Sequence, residues 1–293
     1  RGLGDVYKRQ AVTVSYSEGG VTKTTTTPVT VTSISNTLAS NSWATIRAVS
    51  DAGKGSNYWS VGDTKGITIN GKVGATTFSN LAISVFILGF NHNASREGNN
   101  RIHFQIGKIN GTLVGLVDGN YGNSTSTTGA FTMNTSYTNS GGWNNSHMRK
   151  TVLGSNSTSA TSPAANTLLA ALPADLRAVM KPATKYSDNT GGGSDTASYV
   201  TSTTDLLPLL SEFEYHGART YANSAEKNYQ AQYDYYRAGN SRVHYKHNAT
   251  GTAAYAWCRS VYSGNSNRFC RVGTDGGAGT SNAYYSWALA PCF

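Results

Sequence analysis

The stretch Tyr255–Phe293, YAWCRSVYSGNSNRFCRVGTDGGAGTSNAYYSWALAPCF, decides how this chain is read. It is written almost entirely in Tyr, Asn, Ser, Gly, Ala and Arg. Working outward, the same alphabet reaches back to Asn228. Nine of the chain's 18 tyrosines lie between Asn228 and Phe293: Tyr229, Tyr233, Tyr235, Tyr236, Tyr245, Tyr255, Tyr262, Tyr284 and Tyr285. This is the composition of a paratope. Tyrosine offers a large contact area with two torsions to freeze, and Ser, Gly and Asn offer adaptable hydrogen bonds. Tyrosine also suits a half-buried sheet, so composition alone leaves both readings open.

The totals narrow the class. The 293 residues are 38% hydrophobic and only 13% charged, enough for one large domain or two smaller ones. Low charge with abundant Ser, Thr, Asn and Gly suits a β-rich protein of an extracellular, cell or virion surface. Tyr, Trp and Leu are too plentiful for a disordered tail. The net charge is +9, yet the longest basic run is Arg149-Lys150. Scattered charge makes a generally cationic surface rather than the concentrated face of a nucleic-acid protein. No apolar run reaches the length of a transmembrane helix, and Leu81–Phe90 is of strand length. No membrane insertion and no nucleic-acid partner are therefore expected.

Cys258, Cys270 and Cys292 are the only cysteines. They form no C-x-x-C pair and accompany no histidine cluster, which argues against zinc. A Cys270–Cys292 bridge is open, and would leave Cys258 as a free thiol.

Arg1–Gln10 (RGLGDVYKRQ) matches nothing around it and resembles an adapter-derived leader of metagenomic reading frames. Residues 11–33 are a separate unit. Val12, Val14 and Tyr16 alternate with Thr13 and Ser15, a Gly19-Gly20 turn follows, and Val21 to Val31 alternates again. That is a β-hairpin, too small to be stable alone. It resembles the last two strands of a bacterial immunoglobulin-like domain.

The main unit is expected over 36–293. Asn41 or Ser42 caps a helix whose Trp43, Ile46 and Val49 share one face. Asn70-Gly71 reads as a hairpin turn after a strand from Gly66. Ala82–Phe90 and Arg101–Ile109 read as buried strands, Gly141–Arg149 opens a short helix, and Leu168–Met180 gives helical turns broken by Pro173. Thr204–His216 reads as a strand followed by a turn or short helix.

Several constellations invite chemistry and are outweighed. His92 and His103 with Glu97 suggest a metal pair, against the commoner reading of satisfied loop and strand histidines. Glu212 and Glu214 suggest the paired acids of a glycosidase, against a solvated edge on which residues i and i+2 share a face. Asp275 with Asn265 and Asn267 is thin for calcium. There is no G-x-S-x-G elbow, and Gly191-Gly192-Gly193 and Gly276-Gly277 are loop glycines without a phosphate-binding context. No catalytic set, cofactor or metal is expected.

The order of short motifs carries a resemblance from about Asn36 to Phe293: YWSVGDTKGITING, ILGFNHN, GGWNNSHMR, ALPADLRAVMKP, LLPLLSEFEYHG, YYRAGNS, AWCRS and the closing ALAPCF. The chain resembles an uncharacterised domain family of gut bacteria and their phages. That family is similar to the C-type-lectin-like fold shared by formylglycine-generating enzymes and by the variable proteins of diversity-generating retroelements. The resemblance implies an α+β domain of antiparallel strands, short helices and long loops. It implies scaffold roles for Trp143, Trp257, Arg259, Ser260, Phe269, Val272, Gly276 and Ala288–Phe293, Pro291 included. It implies display roles for Ala256, Cys258, Val261, Tyr262, Asn265, Asn267, Arg268, Arg271, Tyr284, Tyr285 and Trp287. Relatives tend to close Gly-Val-x-Pro-x-Phe where this chain has Ala288-Leu289-Ala290-Pro291-Cys292-Phe293.

The function so implied is non-catalytic binding, on a phage fibre or bacterial surface, of a protein or glycan on a host or bacterial cell. Tyr, Trp and Arg are the usual interface hot spots, and large aromatics such as Tyr284, Tyr285 and Trp287 need burial or a partner. The alternatives are a carbohydrate-binding lectin and a thiol enzyme of the formylglycine-generating kind, with Cys258 and Cys270 next to Arg259 and Arg271. A reactive thiol there would need an accessible, electropositive setting.

Overall fold

The computed structural model describes residues 8–31 and 33–293. The proposed leader lies mostly outside the described residues. Two strands, β1 (Lys8–Glu18) and β2 (Val21–Val31), pair antiparallel through the Gly19-Gly20 turn. Both turn glycines have positive φ, 59° and 80°, the conformation a tight hairpin turn of this kind requires. Val14, Tyr16 and Val21 are each more than 60% or about 60% exposed (60%, 63% and 61%), so this hairpin buries no core through them.

From residue 33 the chain is α+β. Ser42 caps α1 (Trp43–Asp51), its hydroxyl accepting from the Thr45 N–H at 3.1 Å, and Trp43, Ile46 and Val49 face inward as 3.6-residue spacing dictates. A six-stranded sheet follows the order β10-β9-β6-β5-β4-β3. Its strands are β3 (Thr64–Val73), β4 (Thr76–Phe90), β5 (Ile102–Ile109), β6 (Thr112–Gly115), β9 (His244–Lys246) and β10 (Ala249–Ala254). All neighbours are antiparallel except β6 with β9. Asn70-Gly71 is not the turn. The β3–β4 register shifts between Ile69 and Gly71, which makes it a bulge, and the chain reverses at Gly74-Ala75. Gly74 has φ 56°, and a Cβ there would fall 1.9 Å from the Gly129 carbonyl oxygen. Backbone packing thus selects the turn over the local Asn-Gly signal.

A two-stranded ribbon, β7 (Ala183–Asp188) with β8 (Val200–Asp205), and a three-stranded sheet, β11 (Ala256–Val261), β12 (Arg268–Val272) and β13 (Ala278–Asn282), complete the strands. Helices other than α1 are single turns, Leu168–Ala171 and Ala174–Arg177 among them, separated at Pro173. None of the described helices is long and apolar enough to cross a membrane.

The last eleven residues bind the sheets together. Phe104 and Phe293 exchange backbone hydrogen bonds at 2.9 and 3.0 Å, Ile106 donates to Pro291, and Leu116 and Leu289 exchange a pair. Trp257 N–H donates to Ala288 while Ala288 donates to Tyr255. Trp43, Phe104 and Phe293 then pack ring against ring, 5.4 to 6.2 Å between centroids. Phe131, Trp143, Trp257 and Phe269 fill the centre.

Two expectations are corrected here. Cys258, Cys270 and Cys292 are all free and buried, so Cys270 and Cys292 form no bridge. Glu212 and Glu214 lie not on a solvated strand edge but in the one-turn helix Glu212–His216, both buried. Ser211 caps that helix, and the Glu214 side chain returns to the Ser211 N–H, a capping box. Glu212 accepts from the backbone N–H groups of Thr220, Tyr221 and Ala222, so burial leaves its lone pairs occupied.

Candidate functional site

Two polar regions stand out. The first is sealed. Arg259, on β11, is fully buried and forms an ion pair with Glu214 through its Nη1 and Nη2 nitrogens. Lys185, on β7, reaches Glu97 at 2.8 Å, Glu214 at 3.2 Å and the Tyr233 hydroxyl at 2.9 Å. Burial alone would raise the Glu214 carboxyl, but Arg259 and Lys185 outweigh it and hold it well below the usual range. Burial raises Glu97, with Lys185 opposing. Burial likewise lowers His92 to about 3 and His103 well below its ordinary value, with Lys185 adding to both.

His92 and His103 sit 4.0 and 3.8 Å from Glu97. Distance alone would make these ion pairs, but an imidazolium facing the Lys185 ammonium in a dry interior is unfavourable, so the rings are neutral. The structure does bring His92, Glu97 and Glu214 within 4.8 Å of one another. The Lys185 ammonium and the Arg259 guanidinium already satisfy both carboxylates, and a metal ion would have to displace them. The cluster reads as the internal framework, with Arg259 at its centre.

The second region is at the surface, and it is built by the terminal segment. Asp118 holds that segment: one oxygen accepts from Ser286 Oγ at 2.6 Å, the other from the Phe131 N–H at 2.8 Å. The backbone of Gly122–Thr125 pairs with Tyr284–Ser286. Trp287 becomes the hub of an aromatic strip. Tyr285 stacks on it at 5.5 Å, and Tyr121 and Tyr255 meet it edge-on at 5.2 and 4.9 Å. Tyr284 extends the strip to Tyr137, 5.2 Å away and 54% exposed. Two cations cap the other end. The Arg271 guanidinium lies 3.6 Å from the Tyr255 ring centre, and Lys246 lies 4.2 Å from that of Tyr121. An open groove beside them is lined by Asp118, Tyr121, Lys246 and Asn248. Trp287 Nε1 is buried and has no partner, which is uncommon for an indole N–H.

Of the display residues expected from sequence, the strip gathers Arg271, Tyr284, Tyr285 and Trp287. Trp287 is 9% exposed and acts as the platform beneath the half-exposed tyrosines. Arg268 is exposed and donates to Asn282 at 3.1 Å. Tyr262, Asn265 and Asn267 lie in the β11–β12 turn, where Tyr262 packs on Tyr221 at 5.4 Å. Asn265 Oδ1 is taken by the Asn267 N–H, and Asp275 Oδ1 by the Gly277 N–H, which leaves the supposed calcium set dispersed into turns. Ala256, Cys258 and Val261 are corrected: all three are buried. Strand β11 is covered on both faces, so the alternation that exposes every second residue of an edge ribbon does not operate there. The thiols of Cys258 and Cys270 are pushed well up by burial, the opposite of an activated nucleophile.

Trp143, Trp257, Arg259 and Phe269 are buried. Trp257 Nε1 donates to the Phe131 carbonyl and Trp143 Nε1 to Asp205. Gly276 turns at φ 81° and Pro291 accepts from Ile106. Reading the sequence missed Tyr121, Tyr137, Lys246 and Tyr255 as members of the strip. Tyr255 adjoins the quoted motif and was within reach. Lys246 depends on the parallel β6–β9 pairing, a long-range contact with no local signal.

Residues 124–293 match the model of a domain of unknown function, DUF6273. The match covers more than half of the chain. The chain belongs to this family. The match contains the terminal segment, the three-stranded sheet and most of the strip, and leaves Tyr121 just outside it. No curated protein and no solved structure matches the chain.

Proposed function

We propose that this DUF6273 chain is a non-catalytic binding protein of a bacterial cell or virion surface, and that the Trp287-centred strip is its contact face. The observation that carries the reading is the strip itself: Tyr285 stacked on, and Tyr121 and Tyr255 edge-on to, a buried tryptophan, with Arg271 and Lys246 at one end. Rings held by one another lose little further entropy on binding, and Tyr, Trp and Arg are the residues that dominate contact energies. The cations favour a neutral or acidic partner. The sealed thiols weigh against an enzyme of the formylglycine-generating kind.

On this reading the domain is C-type-lectin-like and β1–β2 is the end of an immunoglobulin-like stalk. Arg268, Arg271, Tyr284, Tyr285 and the turn residues Tyr262, Asn265 and Asn267 are the positions a diversity-generating retroelement would vary. A genomic search bears on that last point: a reverse transcriptase gene nearby and a near-copy of the 3′ coding end differing mainly at adenines. A copy that differs evenly at all bases would end the diversification idea.

Glycan binding is one variant of this reading, since flat rings such as that of the half-exposed Tyr285 pack on sugar faces. The full chain applied to glycan and protein arrays separates the two partner classes. The double variant Arg271→Ser with Tyr285→Ser should lose at least about tenfold in affinity for whatever binds, the equivalent of one modest hot spot. Binding that survives this change in a folded protein would sink the assignment of the face.

A further inference from the structure

Lys185 carries a primary amine held in the interior against two carboxyl groups. Its Nζ lies 2.8 Å from Glu97 Oε2 on one side and 3.2 Å from Glu214 Oε1 on the other. The side chains of all three residues are 1% exposed. The Tyr233 hydroxyl, 2.9 Å from Nζ, and the Tyr233 ring, centred 5.3 Å from it, close off a further side.

The two carboxyl groups are held differently. Arg259 grips Glu214 through Nη1 and Nη2 and keeps it ionised. Among the described residues Glu97 is paired with Lys185 and with His92 and His103, and both imidazoles are neutral. Burial pushes Glu97 toward the neutral acid. An ammonium and a carboxylate in contact inside a dry interior each carry a desolvation penalty. One proton passed between them removes both charges. A neutral amine against a neutral carboxylic acid is the pair from which an amide forms, and fixed contact supplies the proximity that the reaction lacks in water.

We propose that Lys185 and Glu97 condense into an intramolecular amide, a covalent staple between β7 and the one-turn helix Ala94–Glu97. The ion-paired cluster is the state from which the bond forms. Lys185 Nζ first gives a proton to Glu97 Oε2. Its freed lone pair then bonds to the Glu97 carboxyl carbon. A second Nζ proton passes to Glu214 Oε1 and on to the Glu97 hydroxyl, whose C–O bond breaks as water leaves. One N–H remains on the amide, and nothing is oxidised or reduced. Charge closes as well: one ammonium and one carboxylate vanish together, and Glu214 stays paired with Arg259. The dry surroundings oppose the return of water. The two residues are 88 apart in sequence, so the bond closes a long loop of the unfolded chain and restricts it there. The staple is separate from the aromatic strip and does not depend on the binding reading.

Mass spectrometry of the full chain, denatured after purification, tests this. The parent should be lighter than its sequence by one water, and its proteolytic digest should hold a branched peptide joining Glu97 to Lys185. Lys185→Met and Glu97→Ala should each carry the full sequence mass. A folded parent of full sequence mass overturns the proposal. So does a missing water without the branched peptide, as an aspartyl succinimide at Asp118-Gly119 would give, or a missing water that persists in Lys185→Met. Should the variants fail to fold, the parent's mass and its branched peptide decide alone.

Discussion

Arg259 and Arg271 stand on neighbouring strands, β11 and β12, and live in opposite worlds. Arg259 is fully buried, paired with Glu214, and also donates to the Leu209 carbonyl and Ser187 Oγ. Arg271 is half-exposed, lies over the Tyr255 ring and donates to Ser281 Oγ. A charge inside a protein survives only where each of its donors is matched. A charge on a ring face at the surface is held loosely and can be shared with a partner. The same contrast divides the tyrosines. Tyr233 is locked between Lys185 and the histidines, and Tyr285 keeps part of its ring in solvent on a tryptophan platform.

The sharpest way to break this comparison is to remove each arginine head. Arg259→Met leaves Glu214 with one counter-ion in place of two, and should cost about 3–5 kcal/mol in urea unfolding, or prevent folding altogether. Arg271→Met should cost less than about 1 kcal/mol, the range of an exposed cation on a ring, while impairing ligand capture. Equal losses for the two would erase the distinction.

The interior should also answer to pH. Burial pushes His244 down to about 4 and His216 to about 4 from an ordinary 6.5. A neutral buried histidine gives stability that is present above 6.5 and is lost as pH falls toward 4, because the unfolded chain takes up the proton first. For fully buried His244 the loss approaches about 3 kcal/mol at the lower end. Glu226 acts in the other direction. Burial raises it to about 7 from 4.5, so its contribution is present at low pH and fades as pH rises between those values. Unfolding midpoints measured from pH 7 to pH 4 should fall, and His244→Asn should flatten the acid limb. Because Glu226 opposes the histidines over part of that range, the variant decides: an acid limb as steep in His244→Asn as in the parent would show that His244 is solvated.

Much of this contrast was written locally, and the rest was not. Ser42 with Trp43, Ile46 and Val49 announced a capped amphipathic helix, and Pro173 announced the break between two turns, because each depends on neighbours within four residues. Asn70-Gly71 announced a turn, yet the chain reverses at Gly74, where Gly129 leaves no room for a side chain. Glu214 looked solvated because its partners Arg259 and Lys185 are tens of residues away in sequence, and Glu212 because the Thr220, Tyr221 and Ala222 N–H groups that hold it lie in a following loop with no local signal. In the site, Trp287 and its tyrosine neighbours were legible as aromatics needing a home. Which of them faced out was decided by β11 being covered on both sides, and that is how Ala256, Cys258 and Val261 were lost to the core.

The finest distinction concerns Trp287, which belongs to both regions: its ring is core, and its edge is at the binding face. Trp287→Phe keeps a ring against Tyr121, Tyr255 and Tyr285 and deletes Nε1–H, which is buried without a partner. Losing volume costs stability, and losing an unsatisfied donor returns some of it, so the net change should be small, within about 1 kcal/mol. If that N–H is kept for an acceptor on the ligand, affinity should nevertheless fall by roughly tenfold, the worth of one hydrogen bond that leaves its partner unpaired. A variant that binds as well as the parent would make Trp287 a platform alone, and would confine the recognition chemistry to the tyrosine hydroxyls, Arg271 and Lys246.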